Sequence, residues 1–174
     1  MKVLHRSLAG LLLAIFVVTV TVAADDPPRE PERTVPRSEA VDALRKFQQD
    51  PLANLEAASI FVKYVKEDGD VHVSMSEQLV PWMRDRDCPP RAKALLLSAF
   101  IAGNFDSQLR DKSQLDDSAA GLAYAVEIYE LLKQENADLN VPELEQLLVA
   151  KRDDRLQSAV REMVDRAQPE YEED

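Results

Sequence analysis

From Ser38 almost to the end of the chain, apolar residues return at steps of three and four, the spacing that gathers them on one face of an α-helix. Leu52, Leu55, Ala58, Val62 and Val65 make one such stripe. Leu122, Ala125, Val126, Tyr129 and Leu132 make another, and Leu156, Ala159, Val160, Met163 and Val164 a third. The chain holds four glycines, of which Gly69, Gly103 and Gly121 lie beyond its apolar start. Hairpin turns and phosphate loops rely on glycine, so this scarcity argues against a β-rich fold and against a dinucleotide or P-loop site. The expected class is all-α. Six to seven helices should form antiparallel αα-hairpins, as a right-handed solenoid-like stack or as a globular bundle.

Local signals place the helices. Ser38 is expected to cap the first, with Val41, Leu44 and Phe47 on one face. Asp50-Pro51 reads as a capping acid followed by Pro at the first helical position, and Gly69 as the stop of the helix so begun. Val71-His72-Val73 reads as a short extended stretch. Ser74 and Glu77 have capping-box spacing, opening a helix that Pro81 should kink. Cys88-Pro89-Pro90 introduces a run from Ala92 to Ala102 that is apolar nearly all round, the mark of a central buried helix. Gly103-Asn104 is expected to close it with a left-handed cap. Residues 105–116 then read mainly as a connection, with Asp117 capping the next helix. Asn140 and Glu143 should cap another around Pro142. Lys151-Arg152 before Asp153-Asp154 suits the end of one helix and the start of the next, with one bent helix over 141–167 as the alternative. Paired in order, the helices give units starting near 51, 90 and 142, close to a HEAT-like repeat length.

The chain's start concerns destination. Lys2 and Arg6 precede an apolar stretch over Leu8 to Val22, and Ala23, Ala24 and two aspartates follow. That order is a secretory signal peptide, cut after Ala24 or Ala23, and the stretch is short for a membrane span. An uncleaved anchor is the rival. No cysteine follows it to take a lipid, and no second stretch is long enough to span a bilayer, so no stable membrane insertion is expected after cleavage. The expected organisation is a signal peptide over 1–24, a Pro- and charge-rich disordered leader over 25–37, one helical domain over 38–168 and an acidic tail over 169–174. Removing Lys2 and Arg6 with the signal takes the formal net charge from −11 to −13. Such a field repels polyanions, so nucleic acid is not an expected partner.

Catalytic and metal chemistry finds little support. His72 is the single histidine beyond the signal and Cys88 the single cysteine, so no His/Cys metal set and no Cys-His or Ser-His-Asp arrangement is legible. Placing Gly69 at the sixth position of a calcium loop puts Tyr64 and Met75 where that loop needs acids. No cofactor is implied. Cys88 precedes a helix start, where the helix dipole favours thiolate, although a partly buried small residue is the plainer reading. Long connections often carry function. The stretch 103–117 therefore supplies the candidate partner contacts Phe105, Gln108 and Asp111, and Trp82 joins them as an aromatic near a helix end. The expected function is a non-enzymatic protein- or peptide-binding or scaffolding module. The alternatives are an enzyme using paired carboxylates among Asp106, Asp111, Asp116 and Asp117, and a carrier of a small ligand or lipid.

The stretch from Ala94 to Leu109, containing LLLSAFIAGNFDSQL, together with Val71 to Trp82, resembles a set of small exported bacterial all-helical proteins. The resemblance covers roughly residues 52 to 150. It implies a helical fold and a bacterial periplasmic or extracellular setting, and no catalytic residue.

Overall fold

The computed structural model describes residues 35–67, 70–111 and 116–167. They form six α-helices: α1 (Arg37–Gln49), α2 (Leu55–Glu67), α3 (Pro90–Arg110), α4 (Ser118–Glu135), α5 (Pro142–Arg152) and α6 (Leu156–Ala167), with one 3-10 turn over Pro81–Met83. The fold class is all-α, as the periodicity predicts. The signal peptide, most of the leader, Gly69 and the acidic tail lie outside the described residues. Val35 is buried and α1 begins at Arg37, so packed structure starts inside the stretch assigned to the leader.

The helices pair in chain order. In the α3–α4 hairpin, Arg91 meets Glu135 at one end and Asn104 meets Asp116 and Asp117 at the other, which makes the two antiparallel. α1 packs on α2, with Phe47 edge-on to Phe61 at 5.5 Å, and α5 packs on α6. The hairpins thus begin at Arg37, Pro90 and Pro142. The expected first start near 51 is wrong because α2 takes α1 as its partner rather than the segment that follows it. One cluster of buried side chains runs through all six helices.

α3 is the central helix, buried on nearly every side, and it is longer than expected. Gly103 does not cap it. A Cβ there would stand 2.5 Å from the Ala120 carbonyl oxygen, and one at Gly121 would stand 2.6 Å from that of Phe100. Both glycines are small so that the backbones of α3 and α4 can touch. Helix α3 therefore runs through Phe105 and Gln108 to Arg110, and the supposed connection over 105–116 shrinks to the few residues before Asp117. That aspartate is the cap foreseen, its Oδ1 accepting from Ala120 N at 3.0 Å.

The other differences have local causes. Asp50 Oδ1 accepts from Ala53 N at 3.1 Å, so Asp50-Pro51 starts a separate turn, and α2 begins only at Leu55. α1 and α5 have Pro36 and Val141 at their N-caps, and neither makes a side-chain cap bond, so Ser38, Asn140 and Glu143 do not cap. No helix follows Ser74. Pro81 has no N–H to propagate one, and five or six residues are too few to repay nucleation. What forms is a turn on Ser76, whose carbonyl takes Leu79 N and Val80 N, and then the 3-10 turn. Between α5 and α6 the break is real. Asp154 has φ 56°, Arg155 N reaches Ala150 O at 2.8 Å and Asp154 N reaches Lys151 O at 3.2 Å. This is a Schellman ending with Asp in the left-handed seat usually given to Gly, so the single bent helix does not occur.

Candidate binding groove

The four residues singled out in the sequence do not form a surface. Trp82 and Phe105 are both 0% exposed. Trp82 packs edge-on to Phe100, and Phe105 stacks on Tyr64 at 5.7 Å, so the two belong to different parts of the core. Burial of these rings is the physical reason they cannot anchor a partner. Asp111 is exposed at the end of α3.

Gln108 is buried and holds the chain to itself. Its Oε1 accepts from His72 N at 3.1 Å and its Nε2 donates to His72 O at 2.6 Å, as a neighbouring strand would. These two bonds hold the backbone at His72 against α3 with no sheet to join among the described residues. Gln108 Nε2 also donates to Asn104 Oδ1, which accepts from Asp117 N at 3.1 Å. Asn104 Nδ2 donates to Asp116 Oδ1, whose other oxygen accepts from Ser74 N at 3.2 Å. Asp116 and Asp117 therefore lie close together, as a carboxylate pair requires. Their oxygens are spent on the backbone of residues 74 and 120 and on Asn104, Ser107 and Ser118. Asp106 pairs with Arg110 at 2.9 Å. The arrangement fixes loops to helices. Among the described residues no group of three or more His, Cys, Asp or Glu is placed to hold a metal ion. Cys88 is 3% exposed, and burial, followed by the charge of Asp85, pushes its thiol above the ordinary value. The dipole expected to favour thiolate is outweighed.

An open concavity lies elsewhere. It is an open groove of about 1240 Å³ between the segment 77–87, α5 and the following α6. Leu147, Ala150, Ala159 and Met163 form an apolar floor, and Val149, 51% exposed, stands on its wall. Small Ala150 and Ala159 hold the floor low where the two helices meet. The rim is charged. Five carboxylates line the groove, those of Glu77, Asp85, Asp87, Glu143 and Glu162, against three arginines. Arg84 is paired with Glu77, and Arg155 with Asp153 at 2.9 Å. Among the described residues Asp87, Glu143 and Glu162 enter no ion pair. The apolar spacing of α5 and α6 was visible in the sequence. The groove was not, because its opposite wall comes from a segment some sixty residues away.

The α5 side of the groove is set by a buried hydroxyl. Tyr129 Oη accepts from Val141 N at 3.1 Å and donates to Glu145 Oε1 at 2.6 Å. Lys133 Nζ lies 2.8 Å from the same carboxylate and 3.0 Å from Leu139 O. The bond from Lys133, and then that from Tyr129, holds the Glu145 carboxyl below its ordinary value. Burial and the bond to Glu145 raise the phenol. A depressed carboxylate stabilises the fold above its unfolded value, and that stability is lost as pH falls through the folded one. Wild-type protein should therefore lose more stability than Glu145→Gln between about pH 5 and pH 3, where glutamate titrates. Urea unfolding at each pH, followed by circular dichroism, checks this; parallel losses would mean that the contact carries no linkage.

No helix among the described residues is long and apolar enough to cross a membrane. No family model, curated protein or solved structure matches the chain.

Proposed function

We propose that this is an exported, non-enzymatic module that binds a protein or peptide in the groove between the segment 77–87 and the α5–α6 hairpin. The observation that carries this reading is the pairing of an apolar floor with a charged, open rim. A groove of this size exceeds the usual span of small-ligand pockets, about 300–1,000 Å³. Its openness suits a segment of chain laid along it, and the helix-in-groove mode uses such a surface. Asp106, Asp116 and Asp117 are engaged in contacts that hold local structure, which favours this reading over a carboxylate pair.

The test is capture from a native envelope extract, with the mature chain compared against a variant carrying Val149→Arg and Gln146→Trp. Both positions are exposed and line the groove, so the fold should be untouched. A partner held by wild type and lost by the variant, at equal thermal stability, is the expected result. A partner held equally by both would place the binding surface elsewhere.

A further inference from the structure

We infer that the occupant of the groove is a basic amphipathic helix, one carrying Lys or Arg along one side and apolar residues along the other. This rests on the groove reading above. Three features point the same way. The floor is apolar and runs along α5 and α6, helices of 11 and 12 residues. At 1.5 Å per residue that is about 17 Å, or three turns of a docked helix. The floor's alanines let a helical backbone approach closely, as small residues do wherever helices pack tightly. The rim carries more acid than base, with Glu143 and Glu162 on α5 and α6 and Asp85 and Asp87 on the facing segment, so cations flanking an apolar stripe find partners. The chain's formal net charge of −11 adds long-range attraction of the same sign.

Net attraction alone would draw any cation, so the rim charges must be separated from the overall field. The probes are two fluorescein-labelled 16-residue helical peptides with identical leucine and alanine positions, one with lysine at every polar position and one with glutamate. Binding to the full mature chain is read by fluorescence anisotropy at low and high salt. The lysine peptide should bind at least tenfold more tightly than the glutamate peptide at low salt. Glu143→Lys with Glu162→Lys should weaken the lysine peptide about tenfold. Glu39→Lys with Glu56→Lys, the same charge change on the exposed side of the α1–α2 hairpin, should change it less than twofold. Equal weakening by both double variants overturns the inference, because the attraction is then only global. Two peptides bound equally well, both lost in Val149→Arg, would keep the groove and overturn the basic partner. If Val149→Arg changes neither, the groove reading itself falls.

Discussion

Trp82→Ala is expected to destabilise the fold strongly rather than to disarm a binding surface. The indole is 0% exposed and sits edge-on to Phe100 of the central helix, at a centroid distance of 6.5 Å. Truncating a buried aromatic of this size costs about 3–5 kcal/mol, as transfer energy and the cavity left behind add together. A domain of ordinary marginal stability, about 5–15 kcal/mol, loses much of its margin to such a change. Among the described residues nothing accepts a hydrogen bond from the indole N–H, so Trp82→Phe forfeits some volume and no bond to them. Phenylalanine should therefore cost far less than alanine. Trp82 is the only tryptophan, so its variants must be followed by circular dichroism rather than by intrinsic fluorescence. A Trp82→Ala chain with wild-type urea midpoint and weakened partner binding would restore the surface role that its burial denies.

The error over Trp82 and Phe105 shows where sequence reasoning stops. An aromatic beside a proline or a glycine reads as the end of an element, and element ends usually reach the surface. At Gly103 the expected left-handed cap is wrong, because the glycine has no positive φ and serves a close helix–helix approach inside α3. A signal for the second was present. Leu97, Ile101, Phe105 and Leu109 continue the four-residue step straight through the glycine, which a terminated helix has no reason to do. The Asp117 cap and the break after Arg152 were legible because backbone chemistry within a few residues decides them. The side chain that holds the stretch at Val71–Val73, Gln108, lies 36 residues away. The groove belongs to the same class of long-range outcome. Its floor follows from the stripes of α5 and α6, while its far wall depends on where the segment after residue 70 is tied down.

That tie is Asn104, and its replacement is the second large effect. Asn104 is 0% exposed and joins three elements: α3, on which it sits, the start of α4 through Asp116 and Asp117, and through Gln108 the backbone of His72. Asn104→Leu keeps the volume and removes both ends of the amide. The Asp117 N–H then loses its partner, and Asp116 Oδ1 keeps only the Ser118 hydroxyl, in a part-buried site. Leaving buried groups unsatisfied costs about 1–3 kcal/mol each, more where a charge is involved, so a loss of about 3 kcal/mol is expected. Asn104→Asp separates polarity from size. It sets a second carboxylate against Asp116 where the amide Nδ2 donates at 2.5 Å. Like charges at that distance raise the proton affinity of the pair above that of the unfolded chain. The penalty should therefore be full near neutrality and relieved as pH falls through the carboxylate range, the reverse of the Glu145 contact. Thermal melts of both variants from about pH 7 down to about pH 4, within the range where carboxylates titrate, decide the matter. Asn104→Asp gaining on Asn104→Leu as pH falls marks a charge-assisted tie. Parallel curves would mean that Asn104 fills space and no more. Because the tied segment leads into the groove's far wall, Asn104→Asp should also weaken groove binding at neutral pH, with none of its atoms touching the partner.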